Sequence, residues 1–366
     1  MKKKILALFA ASLLLLTTAC SKKDEVKYYE DGKGLAKEDI KVGFVYIGDI
    51  HDGGYTQAHD YGRLEIEKMG IETKYIENVA EEATAVNSAI ENLINGGCNV
   101  IYTNSYGYGP FTKEMAKKYP DVLFGHATGD EYTDNMTTYM GKIEEPRYLA
   151  GIVAGLETKV DKIGYVAAMG IPEVKRGINA FALGVKSVNP DAVIEVVWTD
   201  TWYDVNKEKQ AAQSLLDGGC DVIAQHQDST AAQVAAEEKG ALAIGYNKST
   251  ADAAPKAYLT APLFHWEVFY KSDIQAVIDG KWKAQKYWAG MKEGMTSLDT
   301  ITDLASADTK AAVEEAKAKI LDGSLQIFAG PITSNEGKEI VASGSVLSDK
   351  DLWFTDFLVD NVKSNG

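Results

Sequence analysis

The residues with side chains suited to chemistry are Asp52, Tyr55, Asn104, His126, Trp202, Gln225, Asp228, Tyr246, Asn247 and Trp266. They are aromatic, amide-bearing or acidic, and each falls just after a short apolar run. Such a mixture suits recognition of a flat polar heterocycle: ring faces pack on Tyr55 or Trp202, while amides and a carboxylate read the edge. Trp202 stands among Asp200, Thr201, Tyr203 and Asp204, a loop-like setting that favours a ligand role over core packing. Asp52 precedes a helical pattern, so it is equally suited to capping that helix or to touching a ligand.

The same residue types do not assemble a reaction centre. Asp49 and Asp52 are two acids without evidence of the opposed geometry that glycoside hydrolysis needs. Neither a GxSxG elbow nor a GxGxxG or GxxxxGK[ST] phosphate loop occurs, and the acids of GDIHDGG (Gly48 to Gly54) disfavour a phosphate there. The five histidines are dispersed, without CxxC or HExxH spacing, so neither metal nor cofactor is expected. His126 and His226 read as pocket or near-core residues rather than catalytic bases.

The elements that must position these side chains are announced by a repeat. LINGGCNVI (Leu93 to Ile101) returns as LLDGGCDVI (Leu215 to Ile223), each reading as a helix end, a Gly-Gly reversal and a buried strand. KVGFVY at Lys41 returns as KIGYVA at Lys162, and VLFGH at Val122 as LAIGY at Leu242, in nearly the same register. An internal duplication follows, giving two α/β lobes with strands near Val42, Thr73, Val100 and Leu123, and near Ile163, Val193, Val222 and Leu242. Ligands of open parallel sheets sit outside the carboxyl ends of the strands. Two lobes facing one another therefore form a cleft suited to a small molecule. Further helices are expected over 55–69, 82–95, 266–278 and 308–321, with Ala58, Tyr61, Leu64 and Ile66 on the buried side of the first, and a strand over 325–328. Tyr148 to Leu156, YLAGIVAGL, reads as a small-residue helix for close packing.

The 366 residues allow two domains of ordinary size, and the net charge of −15 disfavours a nucleic-acid surface. Lys2 to Lys4, an apolar run to Leu16 and Thr17-Thr18-Ala19-Cys20 read as an export signal over 1–19, with Cys20 as the lipidated residue and 20–39 as a tether. Lobe 1 is expected over 40–140 plus about 262–325, and lobe 2 with the hinge over about 141–261 plus about 326–366. Cys98 and Cys220 occupy duplicate positions in separate lobes and read as two buried thiols rather than a disulfide.

Longer motifs carry a family resemblance. VGFVYIGDIHDGGYTQAHDYGR (Val42 to Arg63), FGHATG (Phe124 to Gly129), RYLAGIVAG (Arg147 to Gly155) and IGYVAAMGIPEVKRGINAFALG (Ile163 to Gly184) are joined by VNPDA, PKAYLT, YWAGMKEGM and FAGPI. Together they resemble the basic membrane protein family of substrate-binding lipoproteins over the whole mature chain. The resemblance implies a type I periplasmic-binding-protein fold, two Rossmann-like lobes with a hinge of several crossing segments. It implies a non-enzymatic role: an extracytoplasmic component of an ABC importer, capturing a purine nucleoside or purine base. Asp52 and Tyr55 match the family's acidic and aromatic pocket positions, Tyr55 standing where many relatives have Trp. Trp202 matches a second aromatic position and Asp228 a polar contact. Asn247 stands where nucleoside binders often have an Asp that holds ribose hydroxyls, which leaves base and nucleoside both open. The expected partners are the purine, a permease with a cytosolic ATPase, and the membrane through lipid on Cys20, with the protein acting as a monomer. A ligand-sensing or structural surface lipoprotein of the same fold is the first alternative, and a nucleoside-processing enzyme the second.

Overall fold

The computed structural model describes residues 26–364; the export signal and Cys20 lie outside them. The chain first builds a βα unit sequence: β1 (Lys41–Val45), α1 (Tyr55–Lys68), β2 (Glu72–Ile76), α2 (Ala83–Asn95), β3 (Val100–Thr103), α3 (Gly109–Lys118), β4 (Leu123–Ala127) and β5 (Met136–Gly141). It then crosses to a second: α4 (Glu144–Glu157), β6 (Lys162–Ala167), α5 (Pro172–Val188), β7 (Val193–Trp198), α6 (Val205–Asp217), β8 (Val222–His226), α7 (Ala231–Glu238), β9 (Leu242–Ile244) and β10 (Tyr258–Thr260). It returns through β11 (Pro262–Phe264), α8 (Trp266–Ile278), β12 (Lys286–Ala289) and β13 (Thr296–Leu298), then finishes with α9 (Ala307–Leu321), β14 (Ile332–Thr333), β15 (Glu339–Val341), α10 (Asp349–Trp353) and β16 (Val362–Ser364).

Both sheets are parallel and share one order. The first runs β2-β1-β3-β4-β5-β12 and the second β7-β6-β8-β9-β10 with β16 added beside β7. Each lobe thus borrows one edge strand from the later chain. The repeat that announced the duplication is visible at atomic level. After α2, Cys98 N–H donates to Leu93 O at 3.0 Å and Gly97 N–H to Ile94 O at 2.9 Å; after α6, Cys220 donates to Leu215 O at 3.1 Å and Gly219 to Leu216 O at 2.9 Å. These are two copies of one Schellman stop, and Gly97 and Gly219 take the left-handed φ of 91° and 95° that the motif demands. Cys98 and Cys220 are free thiols in different apolar clusters, pushed up by burial to about 11 and about 12.

The lobes are joined by three crossings, between β5 and α4, between β10 and β11, and between β13 and α9. The middle one is stiffened by the antiparallel pair β11·β13, in which Pro262 faces Leu298. Close to it, α4 lies on α5 with backbone almost touching backbone. A methyl group on Gly184 would stand 2.0 Å from Tyr148 O, and one on Gly151 would stand 2.1 Å from Phe181 O. That is the close packing the small residues of α4 imply.

Three expectations are corrected. Residues 325–328 form a turn rather than a strand; Phe328 is buried in the lobe 2 core and its carbonyl accepts from Leu347 N–H. The helix α9, expected in lobe 1, places Val313 and Ala316 in the cluster that contains Leu149 and Val153 of α4, so lobe 1 ends near Leu298. On α1, Ala58 and Ile66 are buried, but Tyr61 and Leu64 are exposed. The buried face instead carries His59 and Gly62 against α8, and Arg63 beside Thr73 and Tyr75 of β2. Most of their polar atoms are paired: His59 Nδ1 lies 2.6 Å from Tyr270 Oη, while its Nε2 is buried without a partner, and Arg63 pairs with Asp60 at 2.5 Å and Glu67 at 2.6 Å.

Candidate functional site

In a sheet of order 2-1-3-4-5, the strand order reverses between the first and third strands, and the loops after those strands diverge to leave a crevice. Here that happens twice, at β1/β3 and at β6/β8, and the two crevices face each other. Between them lies a cavity with about 380 Å³ of atom-free space that opens to solvent.

From lobe 1, Tyr55 opens α1 and turns its ring into the cavity. Its hydroxyl donates to Asn104 O at 2.6 Å, tying the loop after β1 to the loop after β3. Asn104 Oδ1 accepts from Ile47 N–H at 3.0 Å, while its buried Nδ2 donates to no protein atom, leaving a free donor on a cavity-lining residue. From lobe 2 come Trp202, Asp228 and Tyr246, all lining the same space. Trp202 O accepts from Asp228 N–H at 3.3 Å. Asp228 Oδ1 accepts from Asn247 Nδ2 at 3.4 Å, and burial, with Asp52 and Glu208 near, pushes its carboxyl well above the ordinary range. Tyr246 Oη lies 3.1 Å from His226 Nε2, and its ring carries the Arg147 guanidinium 3.9 Å above the centroid.

Other residues expected at a ligand stand behind this wall. Asp52 caps α1: Oδ1 accepts from Gly54 N–H at 2.8 Å and Gln57 N–H at 3.1 Å, and Oδ2 from Thr56 N–H at 2.8 Å. Of its two expected roles, the cap is the one the geometry displays, with both oxygens engaged. His126 is buried with Nδ1 3.0 Å from Thr103 Oγ1, and burial lowers it to about 3, so it is neutral. Trp266 is fully buried, stacked on His59 at 3.9 Å and on Phe264 at 4.5 Å, with Tyr55 edge-on at 5.9 Å. It supports Tyr55 without lining the cavity. Asn247 is buried and orients Asp228, while Gln225 Nε2 holds Ser229 O at 2.7 Å and braces the loop after β8.

The sequence reading did not place Ile47, Ser105, Tyr106, Thr128, Met140 and Glu173 at the ligand, and these complete the lining. For Glu173 a signal existed. The repeat of KVGFVY at Lys41 as KIGYVA at Lys162, carried along both chains, sets Glu173 opposite Asp52. The two loops are duplicates and both feed the cleft.

The lobes meet at the rim. A methyl group on Gly54 would stand 2.1 Å from Asp228 O, and one on Gly53 3.8 Å from Thr230 Cγ2. Backbone of lobe 1 therefore rests on backbone of lobe 2 at this edge of the cavity. A two-lobed cleft with aromatic side chains from both lobes, a free amide donor and carboxyls on its wall carries groups complementary to a small planar solute. Among the described residues, no cluster of His, Cys, Asp and Glu is arranged to hold a metal ion.

Residues 39–327 match the family described as ABC transporter substrate-binding protein, PnrA-like. The chain belongs to this family. It is the solute-binding component of an ABC importer, a binding protein and not an enzyme. A purine-binding protein of Brucella abortus is 42% identical over 334 residues, covering 90% of this chain and 95% of that one. A protein of Haloferax volcanii named for glucose binding in an ABC transporter is 38% identical, covering 89% and 83%. Among solved structures, a solute-binding protein of an Aeropyrum pernix ABC transporter superposes with a TM-score of 0.71 at 19% identity, covering 86% of this chain and 95% of that one. This last likeness establishes the fold, the two-lobed type I binding-protein architecture.

Proposed function

We propose that this member of the family captures a purine, as the free base in preference to the nucleoside, by closing Tyr55 and Trp202 on its ring. The observation that carries the ligand class is the lining itself. Two aromatic faces from opposite lobes meet a cavity whose polar groups are a free amide donor and carboxyls, the complement of a flat ring with both N–H and lone-pair edges. The Brucella relative's name agrees with that reading. Free base is favoured because Asn247 is turned to Asp228 rather than to the cavity.

The loaded, closed form is delivered to a permease driven by a cytosolic ATPase, which distinguishes it from the empty form by shape. No helix of the described residues is long and apolar enough to cross a membrane. Attachment is through lipid on Cys20, with the protein on the extracytoplasmic face and acting as a monomer.

A thermal-shift screen of purine bases, nucleosides, sugars and amino acids tests the ligand class, because a ligand bound only by the folded state raises its melting temperature. Stabilisation by purine bases, weaker with nucleosides, is expected. Stabilisation by glucose, suggested by the Haloferax relative, with none by purines replaces the purine reading with a sugar one.

A further inference from the structure

One wall of the cavity holds a group that stacking leaves unexplained. Glu173, the second residue of α5, follows β6 and lines both the cavity and an adjoining compartment of about 370 Å³ that continues towards Arg176 and Trp353. Its side chain is 11% exposed. Among the described residues its nearest partner is His226, whose Nε2 lies 3.4 Å from Oε1, and that nitrogen is already shared with Tyr246 Oη at 3.1 Å. Oε1 is buried without a hydrogen bond.

Burial pushes this carboxyl up, but His226, Arg176 and Arg147 outweigh burial and hold it below its ordinary range. The charge is thus maintained from behind. Arg147 is itself fully buried, with Nη1 on Gln225 O at 2.7 Å. A buried carboxylate oxygen that accepts no hydrogen bond is costly, so it requires a reason. The other acids at the cleft differ from it. Asp52 spends both oxygens on the α1 cap, and Asp228 accepts from Asn247.

We infer that Glu173 determines ligand specificity, its two carboxylate oxygens accepting two neighbouring N–H donors on the edge of the bound ring, as a lactam N–H and adjacent amine present in guanine. The inference rests on the purine reading and sharpens it. A carboxylate accepts such a pair bidentately, and hydrogen bonds to a charged group are roughly twice as strong as those between neutral groups.

The test is titration of the full chain with guanine, 1-methylguanine, hypoxanthine and adenine, followed by tryptophan fluorescence, for wild type and Glu173→Gln. Wild type is expected to bind guanine at least about tenfold more tightly than 1-methylguanine, in line with one lost charged hydrogen bond. E173Q should lose about tenfold or more for guanine and little for 1-methylguanine, so that discrimination collapses. Equal losses for both ligands would mark a merely structural role and overturn the inference. So would unchanged guanine affinity, while wild-type binding of adenine or hypoxanthine in the same series would leave the purine reading standing. Wild type that binds none of the four overturns both. If E173Q does not fold, equal wild-type affinity for guanine and 1-methylguanine overturns the inference by itself.

Discussion

Asp273 shows how a buried acid sets the pH response of lobe 1. Its Oδ2 accepts from Tyr102 Oη at 2.6 Å and its Oδ1 from Trp282 Nε1 at 3.0 Å, yet burial outweighs both bonds and pushes it up to about 6. An unfolded Asp titrates near 4, so between roughly pH 4 and 6 the folded state holds a proton that the unfolded state has released. The contribution is fully present below the unfolded value and is lost as pH rises through the folded one. A shift of about two units corresponds to roughly 3 kcal/mol. Asp273→Asn, in which the Tyr102 hydroxyl reverses to accept from the amide, is expected to flatten this fall. Urea unfolding at pH 4 and pH 7 measures it: the wild type should lose more stability between the two than the variant, and equal losses would contradict the assignment.

At the same scale, the limits of the sequence are those of side-chain direction. Tyr55, Asn104, Trp202, Asp228 and Tyr246 each follow an apolar run closely, and the structure brings all five around one cavity. Trp266 and His126 have the same sequence signature but point into the core, because Phe264, His59 and Thr103 offer them packing and hydrogen bonds that no local pattern reveals. Thr128 and Met140 reach the lining only through the stacking of β4 beside β5, a contact between strands. Glu173 was within reach, since the duplication register sets it opposite Asp52.

Among the elements, the repeat was legible: glycine pairs, apolar runs and their spacing mark both helix stops and the strands that follow them, while the sheet order emerges only from the pairing of strands. The crossings were less so. Nothing local to α9 tells which lobe its thin apolar face covers, and its placement on α4 depends on tertiary contact with Leu149 and Val153. The α4·α5 contact is the sharpest constraint among the helices. Gly184→Val would force the Tyr148 carbonyl away from a backbone now lying against it. Overpacking costs typically about 1–3 kcal/mol, more where backbone must move, so a fall in melting temperature of several degrees is expected by calorimetry. An unchanged melting temperature would show that the helices separate freely.

Closure belongs to the same scale. Gly54 carries φ of −140° and ψ of −118° and lies against Asp228 O. Gly54→Ala adds a methyl group where the rims touch, without entering either core. The variant should melt close to wild type when empty but bind ligand at least about tenfold more weakly, since any closure strain subtracts from affinity, at 1.4 kcal/mol for each factor of ten. Small-angle scattering should show a more open particle in the presence of ligand. Wild-type affinity with the added methyl would mean that the rims need not touch.

For the whole molecule, two duplicated lobes place loops of opposite origin on one solute, so the bound state joins halves that the hinge otherwise holds by three crossings. On the proposed reading, energy for closure comes from ring burial between lobes, and selectivity from the polar wall. Stacking of a base on an aromatic side chain contributes about 1–3 kcal/mol by alanine substitution. The most direct measurement is therefore calorimetric titration of a purine base into wild type and Trp202→Ala. Saturable wild-type binding, weakened about tenfold or more in a variant that melts normally, is predicted. Purine affinity equal in the two proteins would contradict capture between the lobes.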